Sequence, residues 1–154
     1  MSDNASNGAA ADSVRQRGLA KMAEVYGTEF QDYPGAHFAA TADHLFADIW
    51  SRPALTVRDR RLILLGALTA QGAIDTAGIQ IGAALRNEEL TEEQLHEIAL
   101  FLCHYVGWPN GTKLDLLVGT IVGQQKKAAR KKAEEQSESA SSREARPVRP
   151  GTAQ

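Results

Sequence analysis

Along the chain, apolar residues recur three and four positions apart and almost nowhere alternate, so the pattern predicts helices and no strands. Gly and Pro fall at the junctions between these runs. A first helix is expected from about Ser13 to Tyr26, with Leu19, Met22 and Val25 on one stripe and Gly27 as its stop. A second, from about Gly35 to Trp50, stacks Phe38, Ala42, Leu45, Phe46 and Ile49 and ends at Arg52-Pro53. Thr56 caps a third, Val57 to about Ala70, which is apolar nearly all round and therefore belongs at the centre of the fold or in a subunit interface.

A helix of small residues follows from Ile74 to Arg86. Thr91-x-x-Gln94 then reads as a capping box for a helix through Leu95, Ile98, Ala99, Leu102 and Tyr105. The chain breaks at Gly107-Trp108-Pro109, and a last helix opens with Pro109 in its first turn. The class is all-α, with about six helices. The organisation expected is a disordered tail at 1–12, one helical domain over 13–123, and a basic helix extension with a disordered tail at 124–154.

A length of 154 residues fits one domain, and 43% hydrophobic with 23% charged residues excludes a fibrous or wholly disordered chain. The formal charge of -2 gives no general attraction to nucleic acid or anionic membrane. Charge is uneven, however: eight basic residues against four acids from Gln124 onward give the tail +4 and leave -6 on the body. The run Lys126 to Lys132 reads as a solvated helix end, or as a weak contact for an acidic partner or nucleic acid. No window approaches a membrane span and no leader pattern opens the chain, so it reads as cytoplasmic. A single cysteine, Cys103, excludes an internal disulfide and a Cys-x-x-Cys redox pair.

Four segments in order resemble the carboxymuconolactone decarboxylase family, within the alkylhydroperoxidase-D-like superfamily. They are Trp50-Ser51-Arg52-Pro53-Ala54-Leu55, Arg60-Arg61-Leu62-Ile63, Leu90-Thr91-Glu92-Glu93-Gln94-Leu95-His96-Glu97 and Tyr105-Val106-Gly107-Trp108-Pro109, with Arg17-Gly18-Leu19 and Tyr26-Gly27 adding to the match. The resemblance covers roughly residues 15 to 123. It implies an all-helical fold assembling as a homotrimer or homohexamer, and cofactor-free decarboxylation of a small carboxylated lactone in aromatic catabolism. The superfamily's other branch implies a peroxidase with a Cys-x-x-Cys pair, which this chain lacks because Val106 stands three residues after Cys103. The family's histidine falls at Gln80 or Ile81, its Gly before Leu-Thr is Glu89, and its Glu before Trp-Ser-Arg-Pro is most nearly Asp48.

Decarboxylation without metal or cofactor needs a cation for the carboxylate, an electron sink and a proton donor. Arginine suits the first, because its fork meets both carboxylate oxygens. Arg60 is the expected anion anchor, weighed against an ion pair with Asp59 or Glu93. Gln80 is the hydrogen-bond donor in place of the histidine, and Asp48 or His104 carries the proton. Arg52, Tyr105 and Trp108 are the expected substrate contacts, with Arg52 also a candidate cap for the preceding helix. His37 and His44 lie seven apart on one predicted helix, and His96 is expected on the surface. No spacing suits a metal site. Cys103 reads as an inert buried thiol. Beside the decarboxylase stand a peroxide-detoxifying protein of altered chemistry and a non-catalytic helical oligomer that binds a small ligand or protein.

Overall fold

The computed structural model describes the backbone of residues 3–144 and the side chains of residues 13–137; the expectations for 1–2 and 145–154 lie outside the described residues. Six α-helices and no strand are found among the described residues. They are α1 (Asp3–Tyr26), α2 (Ala36–Ala39), α3 (Val57–Ala70), α4 (Ile74–Arg86), α5 (Glu92–Val106) and α6 (Trp108–Glu144). Residues up to Val118 form one compact unit, and those from Gly119 form a second.

α1 begins at Asp3, ahead of its apolar stripe. The expected second helix is three pieces rather than one. α2 passes directly into a π-helical turn, Ala40–Phe46, and a 3₁₀ turn follows at Ile49–Ser51. The wider turn changes the register after Ala40, so the simple seven-residue spacing of His37 and His44 no longer places them on one face. Both histidines are exposed.

α3 and α5 start on the predicted caps. Thr56 accepts from the Asp59 amide while Asp59 accepts from the Thr56 amide, and Thr91 and Gln94 make the same reciprocal pair. In the second unit the basic run lies on helix, where Arg130–Glu134 and Lys131–Glu135 pair one turn apart at 3.3 and 3.7 Å.

The core of the first unit is Met22 and Val25 of α1 against Ala42 and Phe46 of the π turn and Trp50 beyond it. Gly18 permits this packing: a Cβ there would lie 2.0 Å from the Ala42 carbonyl oxygen. Arg15 ties the same two elements, donating from Nε to Asp43 at 2.5 Å and from a terminal nitrogen to Asp32 at 2.6 Å. α3 packs on α4 and α5.

The C-terminal end of α1 is closed by side chains from α3 and from the end of α4. Helix ends leave carbonyls without intrahelical partners. Asn87 donates to the Glu24 carbonyl at 2.8 Å, Arg86 to the Tyr26 carbonyl at 2.8 Å, and Arg61 to the Val25 carbonyl. The cations also suit the negative end of the helix dipole.

Candidate functional site

On α3, the positions i, i+4 and i+8 from Arg61 are Leu65 and Thr69, and all three are fully buried. A guanidinium on that stripe must find partners for its five N–H groups. Nε donates to Glu89 Oε2 and a terminal nitrogen to Glu89 Oε1, both at 2.9 Å, making a two-pronged ion pair. The other terminal nitrogen donates to Gln80 Oε1 on α4, and the Trp50 ring centroid lies 5.9 Å from Cζ. Glu89 also accepts from Asn87 Nδ2 at 3.0 Å. Burial pushes the Glu89 carboxyl up, but the bonds from Arg61 and Asn87 outweigh it and hold it below the ordinary glutamate range.

Glu89 reaches Arg61 because α4 ends in a Schellman turn. The Glu89 amide donates to the Ala84 carbonyl at 2.9 Å and the Glu88 amide to that of Leu85 at 3.3 Å. That closure puts Glu88 in the left-handed region, at φ 55°, and returns residue 89 toward α3.

Trp50 also lines an apolar pocket of about 420 Å³. Tyr26, Phe46, Trp50, Leu55, Ile63 and Leu64 wall it, with Arg60 the one charged residue of the lining among the described residues. Phe46 and Trp50 stack at 5.8 Å, 9° from parallel.

The expected site residues are dispersed. Arg60 lines the apolar pocket, but it pairs with neither Asp59 nor Glu93: its terminal nitrogens donate to the carbonyls of Leu55 and of Arg52, the latter at 2.8 Å. Arg52 does not cap the preceding helix either; it grips Asp48 at 3.1 and 3.3 Å. The bond from Arg52 holds the Asp48 carboxyl below the usual carboxylate range. Gln80 is buried with its side-chain oxygen on Arg61. His104 sits on α5 beside the Leu100 carbonyl at 3.1 Å, and its ring lies 6.0 Å from that of Trp108. Tyr105 is exposed and packs on Phe101 at 4.8 Å.

Trp108 lines a separate, acidic cavity of about 560 Å³ between α5 and the start of α6, with Glu93, Glu97, Cys103 and Thr112. There His96 Nδ1 meets Asp115 Oδ1 at 2.6 Å, a pairing that residues 19 apart did not announce. Cys103 is buried as expected, and among the described residues no cluster could hold a metal.

The Trp-Ser-Arg-Pro turn before α3 and the capping box before α5 both lie within the stretch that a family model matches. The model is that of the carboxymuconolactone decarboxylase family, and it covers residues 35–114, just over half of the chain. The chain belongs to this family. Curated proteins give no match. Within a carboxymuconolactone decarboxylase family scaffold, then, the cation that the fold buries is Arg61, and the residue that neutralises it is Glu89. Sequence reasoning missed both, although Arg61 shares the Leu65 and Thr69 stripe.

Proposed function

We propose that the protein binds a small carboxylic acid with an apolar or lactone body in the pocket walled by Phe46 and Trp50. The carrying observation is the placement of Arg60, a lone cation in an otherwise apolar lining. An aromatic wall with one convergent charge suits a ligand with a flat apolar body and one anionic end. The carbonyls of Leu55 and Arg52 hold the guanidinium in place, so little side-chain entropy is lost when a carboxylate meets its remaining N–H groups. No metal or cofactor is invoked.

Titration of a Trp108→Phe background with small apolar acids tests this through Trp50 fluorescence. A saturable change is expected, weakened about tenfold or more in Arg60→Ala. Binding that is indifferent to Arg60 would overturn it.

Family membership favours a second reading, in which the bound acid is a carboxylated lactone and loses carbon dioxide. Asp48 adjoins Ile49 of the pocket wall and is the carboxyl we assign to proton delivery, with His104 the alternative. An exposed aspartate is ionised at neutral pH, and the Arg52 bond lowers the Asp48 carboxyl further, which favours binding over turnover as the leading reading. Carbon dioxide release from a carboxymuconolactone, abolished in Arg60→Ala, would establish the second reading.

Leu45, Leu55 and Ile63 line the mouth of the pocket and are exposed, and Phe101, Tyr105 and Trp108 are exposed apolar residues elsewhere. We assign these faces to contacts between copies in a homotrimer or homohexamer, in the cytoplasm; no described helix is long and apolar enough to cross a membrane. Light scattering showing a monomer at micromolar concentration would overturn the assembly.

A further inference from the structure

We propose that Arg61 is a binding seat for a small monocarboxylate, and that Glu89 fills this seat as a ligand tethered to the chain. Neither Arg61 nor Glu89 lines the apolar pocket, although Trp50 borders both.

The geometry at Arg61 is that of carboxylate recognition: both Glu89 oxygens face one edge of the guanidinium, each at 2.9 Å. The rest of the seat is built from fixed groups. Gln80 and the Val25 carbonyl each take a further N–H group, and Trp50 lies against the guanidinium. Asn87 Nδ2, at 3.0 Å, adds a neutral donor to the same carboxylate. Arg61 itself has no exposure, whereas the Glu89 side chain is 11% exposed. Glu89 is therefore the element standing between Arg61 and solvent, and shortening it opens the way in.

The occupant enters from the Schellman turn, not from a helix, and the turn holds Glu88 at φ 55°. A carboxylate on such a short tether has an effective concentration that no dissolved acid matches, so the intact chain excludes exogenous carboxylates from the seat. Replacing Glu89 by alanine deletes a methylene and a carboxylate, the atoms of acetate. Replacing it by glycine deletes the equivalent of propionate. Each variant thus defines the ligand that fits the gap.

The test compares thermal midpoints at neutral pH in sodium acetate, sodium propionate, acetamide and, at equal concentration, sodium chloride. In chloride, Glu89→Ala melts below the wild type. Acetate raises the variant's midpoint by several degrees and saturates in the millimolar range, acetamide does not, and the wild type moves no more in acetate than in chloride. Glu89→Gly responds more to propionate than to acetate. Equal shifts in wild type and variant, or variants indifferent to every carboxylate, overturn the proposal. Should Glu89→Ala not accumulate folded, refolding from urea in each salt gives the same decision: recovery confined to carboxylates supports the seat, and equal failure in all salts overturns it.

Discussion

Arg60 and Arg61 are neighbours in sequence and occupy opposite environments: Arg61 is wholly buried on a two-pronged carboxylate, while Arg60 borders an open pocket and rests on two backbone carbonyls. One helical step of about 100° separates the two roles. Arg60 can meet a ligand at no structural cost, whereas Arg61 cannot be changed without orphaning what surrounds it.

Arg61→Met should therefore cost about 3–5 kcal/mol, because it leaves the partly buried Glu89 without its cation and the Val25 carbonyl with only the longer bond from Asn87, at 3.2 Å. Arg61→Lys should recover only part of this loss, since an ammonium cannot reproduce the planar fork. Urea unfolding at neutral pH measures both.

Acid should expose the same pair. The folded carboxyl of Glu89 titrates below its unfolded counterpart, so under acid conditions the unfolded chain binds more protons. The contribution is complete above the ordinary glutamate range and is lost as pH falls through the lower, folded value. Glu89→Gln lacks this contribution at every pH. Its deficit against the wild type should be largest at neutral pH and shrink on acidification, as read from urea midpoints between about pH 7 and 3.

Glu88→Gly should stabilise the protein by about 1 kcal/mol, since a non-glycine residue in the left-handed region bears a cost of that order. Glu88→Ala should bring no such gain, because alanine carries the same Cβ. The comparison of the two in urea isolates the backbone contribution.

Close approach makes two other glycines intolerant. A Cβ at Gly18 would meet the Ala42 carbonyl oxygen at 2.0 Å, and one at Gly111 would meet Cys103 Sγ at 2.2 Å and its backbone at 3.0 Å. Gly18→Ala and Gly111→Ala should each lose about 1–3 kcal/mol or more, against a slight gain expected for Gly→Ala in an uncrowded helix.

Cys103 should react slowly with a thiol reagent in the folded protein and at the rate of a free cysteine in urea, because the residue is only 6% exposed. Fast native labelling would revive the peroxide reading.

Much of the fold was legible because it rests on local signals. The Thr56 cap, the Thr91-x-x-Gln94 box and the bounds of α3 and α4 follow from residues within one turn of each other. The π turn was not, since one wider turn leaves no mark in an apolar pattern that continues on both sides of it. The site was legible only in part. Arg61 stands one position after Arg60 in the same motif, and its burial is legible only through the helical phase that Leu65 and Thr69 supply. Glu89 stood out as a departure from the family's glycine, yet its partner lies 28 positions away and no periodicity connects them.

The closing of α1 by Arg61, Arg86 and Asn87 fixes an order of events in time. α3 and α5 carry their own start signals within four residues, whereas the α1 carbonyls wait for groups 36 to 63 positions further along. Loop closure over such distances precedes any reward, so the last turn of α1 becomes protected only once α3 and α4 are together. Amide exchange there consequently reports the docking of α3 and α4 on α1, an event set by residues far from the helix it protects.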